Sequence, residues 1–140
     1  MIRLKILFIF MFFLLSSKSI AELSNFEKGK NFFDEKKYDL AKFKFEQDIV
    51  FNPKNENSYL YLAKIYKFKK EDSQEEKNLN TVILLNPKNE EAILNLAFLK
   101  IRKSNYEETK KLIKDFKDIC KKLCQRTSDL QNKLDEVLKK

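Results

Sequence analysis

Two copies of one five-residue sequence constrain this chain more than any other feature. Asn-Pro-Lys-Asn-Glu occupies residues 52–56 and again residues 86–90, which is an offset of 34 residues. A fixed period in the range of about 20–50 residues is typical of proteins built from stacked repeats, and such arrays mostly bind other molecules. The residues that follow the two copies also correspond: Tyr59, Leu62 and Ala63 after the first, and Ile93, Leu96 and Ala97 after the second.

The first 21 residues have the pattern of a secretory signal peptide. Arg3 and Lys5 precede an apolar run of ten residues, 6–15, and the small residues within 19–21 fit the −3 and −1 positions of a cleavage site. Ten apolar residues are too few to cross about 30 Å of hydrocarbon. We therefore expect a mature protein that begins at Glu22 and has no stable membrane span. The alternative is a retained N-terminal anchor.

Charge restricts the partners of such a chain. The first 21 residues contain three basic and no acidic residues, so the net charge falls from +8 to +5 without them. A positively charged exported protein favours acidic proteins, anionic lipid or an anionic polymer. We expect no nucleic acid partner, because export separates the protein from most of it, and we expect a periplasmic or secreted location in a Gram-negative bacterium. The alternative is that the lysines only solvate outer helix faces.

The remaining composition predicts an all-α domain. The sequence has one Gly and two Pro, which leaves few tight turns, and its apolar residues have helical spacing. Pro53 and Pro87 each follow an apolar run, and Pro disfavours helix in the residue before it, so each marks a helix end. The predicted helices span 22–35, 38–51, 56–69, 72–85, 90–103, 106–120 and 128–138.

The last of these helices has its own start signal. Ser128 and Gln131 have the spacing of a capping box, in which the Ser hydroxyl accepts a backbone N–H and the Gln side chain reaches back. An apolar stripe follows at Leu130, Leu134, Val137 and Leu138.

The 34-residue unit resembles the tetratricopeptide repeat, in which large and small residues recur at fixed positions and a Pro ends the unit. The middle unit has this pattern at Tyr59, Leu62, Ala63, Tyr66 and Pro87. The first unit has it at Gly29, Phe32, Tyr38, Ala41, Phe45 and Pro53, and the third at Ile93, Leu96, Ala97, Tyr106 and Ile113. The resemblance implies an α-solenoid of three helix pairs, with repeats near 22–55, 56–89 and 90–121 and a C-terminal capping helix near 128–138.

Five positions depart from the repeat pattern. Glu75 and Thr109 stand where a small residue of the second helix is expected, and Lys100 stands where an aromatic residue is expected. Lys121 replaces the terminal Pro of the third unit, and Asn25 replaces the leading aromatic residue of the first. No N-terminal cap is evident in the pattern, so we expect the first unit to fray or to offer its outer face as a contact surface.

The resemblance also implies a concave groove, formed by the first helix of each pair, as the site of partner binding. The positions carried over are Phe26, Lys30 and Phe33 in the first unit, Leu60, Tyr61, Lys64, Lys67 and Phe68 in the second, and Leu94, Asn95, Phe98, Ile101 and Arg102 in the third. Aromatic and basic side chains together suit a protein or peptide partner with apolar anchors and acidic flanks. The alternative is that individual aromatic residues are buried between repeats.

One variant of the family holds the C-terminal carboxylate of cytosolic chaperones with a clamp of Lys, Asn and Arg side chains. The matching positions in this chain are Phe26, Lys30, Tyr61, Glu91 and Asn95, and none of the five carries the required residue. We therefore expect a partner that is recognised in another way.

Cys120 and Cys124 are the only cysteines of the chain. An exported protein with two cysteines favours a disulfide. In a regular helix, residues four apart have Cβ atoms about 5–6 Å apart, whereas a disulfide needs about 3.5–4.5 Å. We therefore expect the helix to end near Cys120 and a disulfide to close the connector before the capping helix. The alternatives are free or intermolecular thiols, or a redox or metal role.

No catalytic constellation or cofactor motif is evident in this sequence. It has no His, and its only Met residues, Met1 and Met11, lie in the predicted signal peptide, so a Ser–His or Cys–His pair and a completed copper site are excluded. One Gly cannot build a Gly-rich phosphate loop. We therefore expect no enzyme activity, no metal and no cofactor.

The function predicted from these features is an exported protein-binding scaffold or adaptor, in envelope assembly or secretion. Two alternatives remain open. The chain could self-associate as a structural solenoid, because open ends of a repeat stack can pack on one another. It could also be a non-catalytic accessory subunit of an envelope enzyme complex.

Overall fold

The computed structural model describes residues 23–139, which form seven α-helices and no strand. The predicted signal peptide lies outside these residues. The helices are α1 (Asn25–Asp34), α2 (Tyr38–Phe51), α3 (Glu56–Lys69), α4 (Asp72–Leu85), α5 (Glu90–Arg102), α6 (Tyr106–Ile119) and α7 (Arg126–Leu138).

The helices pack as three successive pairs, which we name unit one (α1 and α2), unit two (α3 and α4) and unit three (α5 and α6). Each unit contacts the next through α2 with α3 and through α4 with α5, and α7 packs against both helices of unit three. The prediction of an all-α fold with three helix pairs and a capping helix is confirmed. None of the helices in residues 23–139 is long and apolar enough to cross a membrane.

The turn inside each unit contains one residue with a left-handed backbone. These residues are Lys36, Lys70 and Ser104, which lie 34 positions apart and have φ angles of 59°, 58° and 58°. The N–H that follows each of them donates back to the first helix of its own unit. Such φ values are unfavourable for a residue with a Cβ atom, by about 1 kcal/mol, so all three turns share one strained position.

The predicted helix ends before the two prolines are confirmed at Phe51 and Leu85. At the first of these junctions the carboxylate of Asp48 is buried. It accepts hydrogen bonds from Asn52 Nδ2 at 3.1 Å, Asn55 Nδ2 at 2.6 Å and Ser58 Oγ at 2.6 Å. The repeated asparagines therefore fix the junction through their side chains, in addition to the effect of the proline.

α1 begins at Asn25, three residues later than predicted. Its start is set by a capping box that the sequence analysis missed. Ser24 Oγ accepts the N–H of Glu27 at 3.2 Å, and the Glu27 carboxylate accepts the N–H of Ser24 at 3.1 Å.

The predicted capping box at Ser128 and Gln131 is wrong. α7 already begins at Arg126, so Ser128 lies inside its first turn, where its hydroxyl donates to the carbonyl of Gln125 at 2.8 Å. The side chain of Gln131 donates instead to Asp135 at 3.0 Å. The predicted apolar stripe divides, because Leu130 and Leu134 are buried whereas Leu138 is 50% exposed.

Close helix approach in unit one depends on a single glycine. Phe45 of α2 is fully buried, and its ring stacks on Tyr61 of unit two with centroids 5.0 Å apart. A Cβ atom on Gly29 would lie 2.8 Å from Cε1 of Phe45. Only glycine at position 29 lets α1 approach the Phe45 ring this closely, which agrees with the small residue that the repeat pattern places there.

The larger part of the core lies in units two and three. Eight of the thirteen residues of α5 are buried. The core joins this helix to α4, α6 and α7 through Leu79, Val82, Leu112, Phe116, Leu130 and Leu134. The capping helix therefore continues the core of unit three.

Charged side chains occupy the interface between units two and three at positions that depart from the repeat pattern. Glu75 is 1% exposed, and its Oε2 atom accepts a hydrogen bond from Arg102 Nη2 at 2.6 Å. Lys100 is also buried, and its Nζ atom lies 2.7 Å from both Glu76 Oε1 and Glu108 Oε2. Glu75, at the position of a small residue, and Lys100, at that of an aromatic one, therefore each form an ion pair that bridges the two units.

The third unit ends without a proline. α6 ends at Ile119, and Cys120 has an extended backbone and is joined to Cys124 by a disulfide. The Cα atoms of the two cysteines are 5.2 Å apart. The bond is compatible with the chain because, as expected, the helix does not continue past Cys120.

Unit one exposes an apolar face. Leu40, Phe43, Val50 and Phe51 of α2 are between 50% and 74% exposed, and we name them the apolar face of α2. In unit two the positions of Leu40 and Phe43 are taken by Gln74 and Lys77. Those of Val50 and Phe51 are taken by Leu84 and Leu85, which are 81% and 36% exposed, so only this half of the face recurs.

Candidate partner-binding groove

The side chains predicted to line the groove form one surface that crosses α1, α3 and α5. Phe33 of α1 packs edge-on against Tyr61 of α3, with ring centroids 5.0 Å apart. Lys64 of α3 forms an ion pair with Glu91 of α5 at 2.8 Å, and Lys67 donates to Asn95 Oδ1 at 3.2 Å. We name the accessible members of this set the groove surface: Phe26, Lys30, Phe33, Tyr61, Lys64, Lys67, Phe68, Asn95, Phe98 and Arg102.

Three of the predicted groove residues do not belong to this surface. Leu60 is 6% exposed, Leu94 and Ile101 are each 5% exposed, and all three pack in the core of units two and three. An aliphatic residue there gains more from burial than from contact with water.

The end of the groove surface at unit one is aromatic. Phe26 and Phe33 both pack against Tyr61, and Phe68 lies 6.2 Å from Phe33 between ring centroids. Phe68 is 58% exposed, whereas the other rings are half-buried. The rings of Phe26, Phe33 and Tyr61 are thus part of the packing between units one and two, and Phe68 is the ring that is most available to a partner.

The clamp used for chaperone termini is absent from the described surface. Tyr61 is packed among aromatic rings, and Glu91 is occupied by Lys64, whose ammonium group also lies 4.9 Å from the centroid of the Tyr61 ring. The carboxylate group of Glu91 would repel the C-terminal carboxylate of a ligand. The middle of the groove therefore does not present the cluster of cations that such a ligand needs.

A cavity within the described residues lies at the other end of the groove surface, between α5 and α7. Its volume is about 590 Å³. We name it the α5–α7 cavity. Its lining includes the apolar side chains of Phe98, Ile101, Tyr106 and Val137 and the basic side chains of Lys67, Arg102, Arg126 and Lys133, together with Ser104.

Three of the four basic side chains of the α5–α7 cavity are paired with acids that do not line it. Arg102 donates to Asp72 Oδ1 at 2.8 Å as well as to Glu75, and these two partners raise the pKa of Arg102 although burial opposes them. Arg126 pairs with Asp129 at 2.6 Å, and its guanidinium lies 5.9 Å from the centroid of the Phe98 ring. The cavity wall therefore presents basic side chains, three of them held in ion pairs, next to apolar surface.

Glu75, which pairs with Arg102 behind this wall, is a buried charged group. Burial raises the pKa of Glu75, and the nearby charge of Arg102 opposes that rise. Within the described residues, its Oε1 atom is buried without a hydrogen-bond partner, whereas Oε2 is bonded to Arg102. Arg102 is therefore committed to Glu75 on one side and faces the cavity on the other.

Sequence reasoning missed half of this site. It included Lys67, Phe98, Ile101 and Arg102 but no residue from α6 or α7. A signal for α7 was present, because Arg126 and Lys133 are seven residues apart and flank the apolar stripe of Leu130 and Val137 at helical spacing. That spacing indicates which face of α7 the two cations share, but it does not place this face against α5.

The described residues hold no group of three or more His, Cys, Asp or Glu side chains close enough to bind a metal. Asp72 and Glu75 are paired with Arg102 between units two and three, whereas Asp129 and Glu136 are paired with Arg126 and Lys133 within α7. The groove thus offers shape, apolar surface and basic side chains.

Comparison with known proteins identifies the fold. No family model and no curated protein matches the sequence. Among solved structures, the TPR2B domain of yeast Sti1 in its pHsp70 complex has a TM-score of 0.74 at 14% identity, covering 80% of this chain and 94% of that one. The first TPR domain of Spaghetti (RPAP3), bound to the HSP90 peptide SRMEEVD, has a TM-score of 0.73 at 22% identity, covering 83% and 94%.

The TPR domain of Arabidopsis OM64 has a TM-score of 0.72 at 18% identity, and the match covers 80% of this chain and 92% of that one. Each of the three matches covers more than 90% of the neighbour and at least 80% of this chain. The resemblance inferred from the 34-residue period is therefore confirmed at the level of the fold. The chain has the fold of a tetratricopeptide-repeat domain.

Proposed function

We propose that this chain is an exported scaffold that binds a protein partner through its groove surface, by an acidic segment carrying an apolar side chain. The observation that carries the proposal is the α5–α7 cavity. An apolar floor can bury an anchoring side chain, and the four basic side chains on its wall can bind carboxylates around that anchor. The solved neighbours support a peptide ligand, since the Spaghetti domain is bound to a peptide that contains two Glu and one Asp.

The mode of binding that we propose differs from a clamp on a C-terminal carboxylate. The positions of that clamp are occupied by aromatic side chains, by Lys30, by Asn95 and by the Lys64–Glu91 pair. Basic side chains instead line the cavity between α5 and α7. The partner therefore does not need a free C terminus, and an internal acidic segment can bind equally well.

Binding can be tested by fluorescence anisotropy with a dye-labelled peptide of alternating Glu and Leu residues. Arg126→Glu/Lys133→Glu reverses two charges of the cavity wall, whose i,i+3 pairs with Asp129 and Glu136 are exposed and add little stability. We expect this variant to bind the peptide at least about tenfold more weakly, a loss of about 1.4 kcal/mol. A peptide with Lys in place of Glu should not bind the wild-type chain.

The matched control is Lys77→Glu/Lys111→Glu, which makes the same change in net charge at two exposed residues outside the cavity. We expect it to bind the acidic peptide nearly as the wild type does. Equal weakening in both variants would show that only net charge matters, and the cavity would then not be the site.

The proposal of export is tested separately. The expected mature chain begins at Glu22 and is found in the periplasm or the medium of a Gram-negative cell. N-terminal sequencing of the protein from fractionated cells measures both points. A chain that keeps residues 1–21 and remains with the membrane fraction would contradict cleavage and support the retained anchor. Capture of partners from an envelope extract by the mature chain would then identify a pathway in envelope assembly or secretion.

Self-association is the second candidate function, and the apolar face of α2 favours it. Leu40, Phe43, Val50 and Phe51 are at least half exposed, and exposed apolar side chains that lie together often mark a contact surface. Light scattering at increasing concentration measures the mass of the assembly. If the mass rises with concentration in the wild type but not in Phe43→Glu/Val50→Glu, this face joins copies of the chain. A constant monomer mass excludes this function.

A further inference from the structure

The end of unit three is held by one carboxylate. Glu90, the first residue of α5, accepts hydrogen bonds from three consecutive backbone N–H groups of the connector that leads to α7. The distances are 2.9 Å from Lys121, 3.0 Å from Lys122 and 2.7 Å from Leu123. These bonds lower the pKa of Glu90, because the charged carboxylate is the form that accepts them.

The residue at the equivalent repeat position of unit two makes similar hydrogen bonds. Glu56, which precedes Glu90 by 34 residues, begins α3 and accepts hydrogen bonds from Asn86 Nδ2 at 2.9 Å and Asn89 Nδ2 at 3.2 Å. In both units, the first residue of the first helix therefore fixes the segment that follows the second helix. Unit three has no Asn-Pro junction for this purpose and uses a connector closed by the disulfide.

The connector determines where α7 starts. Cys120 and Leu123 pack against the core, Cys124 follows at once, and α7 begins at Arg126. Arg126, Lys133 and Val137 of α7 then form one wall of the α5–α7 cavity. A connector that turned in another direction would leave Phe98 and Ile101 of α5 facing water in place of this wall.

We infer that Glu90 and the Cys120–Cys124 disulfide are the positioning elements of the cavity, which together hold α7 so that Arg126 and Lys133 face α5. The placement of α7 stands on the contacts described above. Its effect on the binding of acidic segments rests on the proposed function. Glu90 does not line the cavity and acts on a ligand only through α7.

The test uses three variants of the mature chain. Glu90→Gln keeps the size of the side chain but replaces one accepting oxygen by an NH₂ group, which cannot accept a backbone N–H. Cys120→Ser/Cys124→Ser removes the disulfide. Glu56→Gln is the matched control, because it makes the same chemical change at the equivalent position of unit two, away from α7.

Hydrogen–deuterium exchange over residues 126–138 measures whether α7 stays in place. We expect exchange to rise there about tenfold in Glu90→Gln and in the double Ser variant, while residues 56–69 exchange as in the wild type. A general loss of stability would raise exchange in both segments, so the local change separates positioning from folding. Glu56→Gln should leave 126–138 unchanged. Unchanged exchange of 126–138 in both the Glu90 and the Ser variants would overturn the inference.

Anisotropy with the acidic peptide measures the effect on the cavity. We expect both α7-releasing variants to bind about five- to tenfold more weakly than the wild type, and Glu56→Gln to bind normally. If exchange rises but affinity is unchanged, the wall formed by α7 does not contribute to binding and that part of the inference is overturned. If no form of the chain binds the peptide, the proposed function fails, and the exchange data still decide whether Glu90 and the disulfide hold α7.

Discussion

Arg102 donates a hydrogen bond to Asp72 at 2.8 Å. The equivalent positions one repeat earlier are occupied by Phe68 and Tyr38. Phe68 and Tyr38 stack on each other with ring centroids 4.9 Å apart. The same contact between successive units is thus aromatic at the first interface and ionic at the second. The exposed side chains of the groove are therefore mainly apolar near unit one and mainly basic near unit three.

The first prediction concerns the buried end of this ionic contact. Arg102→Met removes the hydrogen-bond partner of Glu75, whose side chain is 1% exposed. We expect the free energy of unfolding to fall by about 2 kcal/mol, because the carboxylate is left buried without a partner. Urea denaturation measures the loss.

A double-mutant cycle provides the control for that change. Glu75→Ala places at this position the residue that Ala41 supplies in unit one. We expect Glu75→Ala/Arg102→Met to be more stable than Arg102→Met alone, since no charge remains buried. Strictly additive losses would mean that the two side chains are not energetically coupled.

The second prediction concerns the strained turn position. Ser104→Gly should raise the free energy of unfolding by about 1 kcal/mol, because glycine adopts the observed φ of 58° without a steric penalty. Ser73→Gly in α4 is the matched control, and we expect it to lower stability, because glycine is a poor helix former. Thermal unfolding followed by circular dichroism measures both, and a loss of stability in Ser104→Gly would refute the explanation.

The third prediction concerns the contact of Gly29 with Phe45. Gly29→Ala would place a Cβ atom 2.8 Å from a fully buried ring. Alanine improves helix propensity by about 1 kcal/mol, but overpacking a core costs about 1–3 kcal/mol, so we expect a net loss of about 1 kcal/mol. Asn31→Ala, at an exposed position of the same helix, should be neutral or slightly stabilising. A stabilised Gly29→Ala variant would mean that the Phe45 ring can shift freely.

The fourth prediction concerns acid. Hydrogen bonds from Lys100 and Lys103 lower the pKa of Glu76, and backbone N–H groups at 121–123 lower the pKa of Glu90. Each carboxylate binds protons less tightly when folded than when unfolded, so its stabilisation is complete above the unfolded value of about 4.3 and is lost as pH falls through the folded pKa. We expect the melting temperature to fall as pH drops below about 4.3, and less steeply in Glu76→Gln than in the wild type.

Glu75 should oppose this trend. Burial raises its pKa, so its folded form binds a proton more tightly than the unfolded chain does. Its contribution to stability therefore decreases as pH rises from the unfolded value through the folded pKa. In Glu75→Gln we expect the difference between neutral and acid stability to become larger, and a smaller difference would contradict the assigned direction.

Local rules acting on Pro and on helical spacing predicted much of the fold. The bounds of α2, α3 and α4 coincide with the predicted spans because Pro53 and Pro87 fix two of the ends, and the period of 34 fixes the others. The disulfide between Cys120 and Cys124 was also predicted, because a helix that ends near Cys120 lets the two cysteines approach.

The groove could be predicted less well, because it depends on packing between distant segments. Leu60 and Leu94 occupy the expected helix positions but turn into the core. Arg126 and Lys133 line the cavity on a helix whose connector is bonded to Glu90, more than 30 residues earlier. A hydrogen bond of a side chain to three amides has no signature in the local sequence.

The ionic interface between units two and three limits how the repeats can be rearranged. The two Asn-Pro-Lys-Asn-Glu junctions are identical in sequence, which would suggest that units are interchangeable modules. A second copy of residues 56–89 inserted after Asn89 would, however, set Glu75 and Glu76 against Phe68 and Tyr66, the residues that correspond to Arg102 and Lys100. The buried carboxylate of Glu75 in the original unit two would then lose its ion pair with a guanidinium group. The residues at the interfaces thus determine the order of the units. Duplicating a unit would lengthen this solenoid only if the charged residues at the new interface were also changed to restore the ion pairs.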